Sequence, residues 1–155
     1  MRIDGTWRSD AYIDDVWAVL VDLTNWPRWW PAIRAVELTA GSPAEPEAAR
    51  ITFDTPAPLR PLVLDMTVTD LRAPYHLTAA SDRGSIGGSA SFELDEDEVA
   101  TAVSFDVSLE VRSTLLQPVE MVLSHADSEA GRRRLAQAGD DLAELAGGQP
   151  LEHVL

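Results

Sequence analysis

The side chains best suited to proton transfer near neutral pH are three histidines, His76, His125 and His153. His125 is the candidate for chemistry, because it alone falls on a helical pattern with an apolar face. A capped or solvent-edge histidine is the competing reading of the same residue. His76 follows Pro74-Tyr75 at the start of a strand, and His153 lies near the C-terminus. No histidine pair with a carboxylate has metal-ligand spacing, so no metal is expected. The chain has no cysteine, which removes disulfides, thiolate sites and cysteine nucleophiles. There is no GxSxG, P-loop or GxGxxG, so neither a nucleophile elbow nor a nucleotide cofactor is expected. Asp65 interrupts an apolar strand but alternates onto its outer face. Asp22 sits where a helix meets a turn, a place for holding the turn. The strongest signal is aromatic. Trp17, Trp26, Trp29 and Trp30, four of the five tryptophans, fall within Val16–Ile33, VWAVLVDLTNWPRWWPAI. Rings this close build a rigid apolar wall and can stack on a planar ligand.

Composition narrows the setting. The 155 residues fit one domain, and 45% hydrophobic content is enough to bury a core. The formal net charge of −14 argues against nucleic acid and against anionic membrane surfaces. The one basic cluster, Arg132–Arg134, lies among Glu129, Asp140, Asp141 and Glu144 and reads as a solvated helix face. No apolar run approaches the roughly 20 residues of a bilayer span. The N-terminus lacks the pattern of a signal peptide. A cytoplasmic protein without stable membrane insertion is expected; homodimerisation is possible but not readable.

The elements that must position these residues follow from periodicity. Residues 2–8 alternate as a half-buried strand. Ile13, Val16, Trp17, Leu20 and Leu23 recur at helical spacing, with Asp14 and Asp15 favourably placed in the first turn. Asn25-Trp26-Pro27 breaks that helix, and Pro27 is expected to open a second short one through Trp29 and Trp30. Strands follow at 33–38, 49–55, 62–71 and 75–81. A hairpin then pairs 86–94 with 99–111 around the acidic loop Asp95–Glu98, whose spacing does not fit a calcium loop. From 117 or 118 to about 146 the chain reads as helix. Val119, Val122, Leu123 and Ala126 share one stripe. Leu135, Ala138, Leu142 and Leu145 share another, displaced by roughly 120°. A kink or break is therefore expected around 127–131. Gly147-Gly148 ends the helix. Residues 1–147 form the expected domain and 148–155 a loose tail.

The order of elements, with Val16-Trp17, Leu20–Asp22 and Trp26-Pro27-Arg28-Trp29, resembles the START-like (SRPBCC) superfamily. More narrowly it is similar to the polyketide cyclase/dehydrase and lipid-transport family. The chain departs at Tyr12-Ile13, where that family often has Ala-Pro. The resemblance implies an α+β helix-grip fold: a strongly bent antiparallel sheet wrapped around a long C-terminal helix, with two short helices after the first strand. It also implies a cavity between sheet and helix.

On that architecture the inward face carries Ile51, Phe53, Leu64, Met66, Val68, Leu77, Ala79, Ile86, Ala90, Phe92, Val103, Phe105, Val107 and Leu109, nearly all apolar. The residues expected against a ligand are Trp26, Trp29, Trp30, Phe53, Met66, Phe92, Phe105 and Met121. His125 is the best available proton-transfer group. A hydrophobic small molecule is the implied partner, polyketide-like, lipid or aromatic, held by a carrier or sensor or turned over by a cyclase/dehydrase-like protein. The same inward face would also serve a protein-interaction module with a filled core and no ligand.

Overall fold

A computed structural model describes residues 1–55, 58–81, 83, 86–112 and 128–155. Seven strands form one antiparallel sheet in the order β1-β7-β6-β5-β4-β3-β2. They are β1 (Arg2–Ser9), β2 (Ile33–Gly41), β3 (Pro46–Phe53), β4 (Leu62–Arg72), β5 (His76–Ser81), β6 (Ile86–Glu96) and β7 (Thr101–Val111). Helix α1 (Ile13–Val21) follows β1, and helix α2 (Glu129–Leu145) closes the described fold. Every strand except β1 pairs with its neighbour in sequence. Hairpins therefore build the sheet, and β1 is brought in through β7. This is the α+β arrangement expected, and the strand bounds differ from the periodicity by a few residues at their ends.

The alternation of side chains decides what each strand buries. Along β7, Val103, Phe105 and Leu109 are buried while Ser104 and Glu110 face solvent. Along β4, Leu62, Leu64 and Met66 are buried against exposed Val63, Asp65 and Thr67. Asp65 pairs there with Arg50 at 2.8 Å, and that guanidinium hydrogen bond holds its carboxyl below the usual carboxylate range. At the β6–β7 turn Asp97 accepts from the N–H groups of Val99 and Ala100, both at 2.8 Å. Those two bonds hold its carboxyl low as well. The acidic loop is a hairpin turn.

The second short helix differs from expectation. It is a 3₁₀ segment over Leu23–Arg28 with Pro27 inside it, so Trp29 and Trp30 follow it. Its start is set by Asp22, whose carboxylate accepts from Asn25 Nδ2 at 2.7 Å and Thr24 Oγ1 at 3.4 Å. Those bonds tighten the chain one turn before Pro27. Trp26 is fixed by its Nε1–H donating to the Leu20 carbonyl at 2.7 Å.

Helix α2 begins where the two apolar stripes part. Ser128 is its N-cap, accepting from the Gly131 N–H at 3.1 Å. At the other end Gly147 takes φ +80°, its N–H bonds to Glu144 and that of Gly148 to Ala143, a Schellman end. The helix buries Leu135, Ala138 and Leu142. Leu145, expected on that stripe, is exposed, and Ala146 is buried in its stead. Gly139 permits the close approach of α2 to β1: a Cβ there would collide with the Trp7 ring.

The last residues are not loose. Thr6 and Val154 exchange both backbone hydrogen bonds, at 2.7 and 2.9 Å, and the Leu151 N–H donates to Arg8 at 2.9 Å. The tail thus covers the outer edge of β1, leaving fewer unpaired edge groups. His153 pins it from the side. Its Nδ1 accepts from the Arg8 N–H at 3.0 Å, and its Nε2 lies 2.8 Å from Asp140 Oδ1.

Candidate functional site

The core is aromatic, and its organisation explains where space is left. Trp7 is 2% exposed at its centre. It stacks on Phe105 at 4.1 Å and meets Trp29 and Trp30 edge-on at 5.7 and 5.6 Å. Its Nε1–H donates to the Leu135 carbonyl of α2 at 2.9 Å. This ring set locks β1, β7, the aromatic turn and α2 together at one end of the sheet's inner face.

Beside it lies a hollow of about 400 Å³. Among the described residues, its wall is built by Trp26 and Trp30 from the turn, Ile51, Phe53, Leu64, Met66, Ala90, Phe92, Val107 and Leu109 from the sheet, and Ala130, Gly131, Arg134 and Leu135 from α2. A recess of about 40 Å³ between Leu23, Val36, Val68, Leu77 and Ala79 shares Trp26, Ile51, Met66, Ala90 and Phe92 with it. Trp26 and Trp30 make edge contacts to Phe92 at 5.6 and 6.3 Å, so the wall is continuous from turn to sheet. Small Ala90 leaves the room that large residues around it enclose.

The expected site residues divide. Trp26, Trp30, Phe53, Met66 and Phe92 stand on the wall of the hollow. Trp29 and Phe105 do not: Trp29 is 1% exposed between Trp7, Trp26 and Trp30, and Phe105 is taken up by its stack on Trp7. Adjacent residues of an irregular turn have no period to sort them, so Trp29 and Trp30 read alike in sequence. Met121 and His125 lie outside the described residues. The other two histidines are away from the hollow: His76 is near Asp70 and Glu93 on the outer face, at 3.5 and 3.7 Å, and His153 belongs to the tail.

Several wall residues are absent from the sequence-based expectation, and Arg134 is the one that carries a positive charge. The charge pattern puts Arg134 on a solvated face with Arg132 and Arg133. Arg133 pairs with Glu129 at 2.7 Å, and Arg134, exposed as that pattern expects, also lines the hollow beside Leu135. Its spacing from Ala130 and Ala138, four residues either way, is the available signal. Among the described residues, the other polar residues at the wall are Asp54, Ser89 and Ser128. Two buried polar atoms have no hydrogen-bond partner among the described residues, Trp29 Nε1 and Ser81 Oγ. No group of three or more histidine or acidic side chains among those residues is placed to hold a metal.

A family model described as polyketide cyclase/dehydrase and lipid transport matches residues 2–145. The chain belongs to that family. Solved structures bear out the helix-grip fold. A Thermus thermophilus protein superposes with a TM-score of 0.71 at 11% identity, over 94% of this chain and 97% of that one. The Zhui aromatase/cyclase from a Streptomyces species gives 0.67 at 13% identity, over 95% and 93%. A START superfamily protein from Mycobacterium smegmatis gives 0.60 at 15% identity, over 86% and 97%. At these identities the likeness is one of fold. No curated protein matches the chain in sequence. No described helix is long and apolar enough to cross a membrane.

Proposed function

We propose that the chain binds a hydrophobic small molecule in the hollow between sheet and α2, acting as a carrier or sensor. The observation that carries this reading is the wall itself. Some 400 Å³ of space is bounded by aromatic and aliphatic side chains with few polar groups, the usual character of a small-molecule site. Family membership supports the same class of ligand. Rigid Trp26 and Trp30 supply apolar area at little entropic cost, because their contacts are already made before a ligand arrives. The carrier reading asks least of the wall, whose charged side chains among the described residues are the exposed Asp54 and Arg134.

Native mass spectrometry of the purified protein, followed by titration with fatty acids and aromatic polyketides, tests this. The expected result is co-purified ligand mass or a saturable change in tryptophan fluorescence, without product. Protein mass alone and no response across the panel overturns it. A product released from a bound polyketide would establish an enzyme.

A further inference from the structure

The wall also indicates which end of the ligand carries charge. Arg134 is the long side chain that α2 directs to the hollow, between small Ala130 and Gly131 on one side and Leu135 on the other. It is exposed at the mouth, and no hydrogen bond or ion pair engages it among the described residues. Its neighbour Arg133 is held by Glu129 at 2.7 Å. Among the described residues the other charged side chain of the wall is Asp54, which follows β3 on the sheet and is also exposed.

With a neutral ligand the exposed Arg134 would keep its water and contribute nothing to recognition. An ammonium ligand would meet it as a like charge. A carboxylate suits it, because the guanidinium presents a planar fork of donors that two oxygens match, and sheds water more readily than an ammonium. The protein as a whole carries −14, so its long-range field repels anions. Recognition of an anion therefore needs a cation placed locally, at the mouth. We infer that the ligand is an amphipathic carboxylate, its apolar body on the sheet wall and its head group paired with Arg134. This deepens the reading of the hollow as a ligand site and rests on it.

The test compares dodecanoate, dodecan-1-ol and dodecylammonium at low micromolar concentration, read by tryptophan fluorescence, on the wild type, Arg134→Gln and Arg133→Gln. Dodecanoate is expected to bind about tenfold more tightly than the alcohol, with the ammonium weakest. Arg134→Gln should remove the acid's advantage and leave the alcohol's affinity unchanged. Arg133→Gln should behave as wild type. Equal binding of acid and alcohol, or an acid preference that survives Arg134→Gln, overturns the inference while leaving the hollow a ligand site. Tightest binding of the ammonium overturns it in favour of Asp54. If none of the three binds, the head-group assignment and the ligand-site reading fall together.

Discussion

Replacing Trp7 with alanine is expected to cost about 4 kcal/mol of folding stability, the range for truncating a large buried aromatic. The ring is 2% exposed, and three aromatic contacts and one hydrogen bond converge on it. Truncation would open space among Phe105, Trp29 and Trp30 that their packing cannot readily close. It would also remove the indole N–H that the Leu135 carbonyl of α2 accepts in addition to its helical bond, and with it a tie between β1 and α2. Domains of this size have about 5–15 kcal/mol in hand, so the variant should sit near the edge of folding. Urea denaturation followed by circular dichroism measures the loss. Trp7→Phe separates the two contributions: it keeps an aromatic ring in the stack and removes the indole N–H, and should cost about 1–2 kcal/mol. A Trp7→Ala midpoint within experimental error of wild type would mean that β1 and α2 are not held through this ring.

The second large effect concerns binding. Ala90 is the small residue shared by the hollow and its recess. It faces Ala79 across β5 and Val107 across β7, so a larger side chain there projects into the space and not into a neighbouring strand. Ala90→Phe should weaken binding of any ligand found in the hollow by at least about thirtyfold, about 2 kcal/mol. Stability should stay within about 1 kcal/mol of wild type, because the added ring fills space that packing leaves open. Ser91→Phe is the matched control. It adds the same ring one residue along, on the outward side of β6, and should leave affinity unchanged. Undiminished affinity in Ala90→Phe, with the fold intact, would place the ligand elsewhere.

Much of this arrangement is legible in the sequence, for a physical reason. In a strand, alternate residues face opposite sides, so a buried face writes its own pattern. Alternation groups Leu64 with Met66, Ala90 with Phe92, and Val107 with Leu109, and the structure puts all six on the wall. The start of α2 at Ser128 is foreshadowed by the slip between two apolar stripes. What escapes the sequence is non-local or lacks a period. The tail covers the edge of β1 because that edge is free once β7 has taken the other, a fact about topology. Trp29 turns into the core and Trp30 onto the hollow because the 3₁₀ segment ends at Arg28, which no periodic pattern encodes. Charge pattern puts Arg134 in solvent, where it is, but does not show that it also borders the hollow.

The most direct test of the central claim is the set of five tryptophan indole N–H signals in the nitrogen-edited NMR spectrum, followed while fatty acids and aromatic polyketides are titrated in. Trp26 and Trp30 line the hollow; Trp17 does not, and is the internal reference. At least one ligand class should shift the Trp26 and Trp30 signals to saturation while Trp17 stays in place. Five unmoved signals across the whole panel, or a drift of all five without saturation, would contradict a ligand site between the sheet and α2.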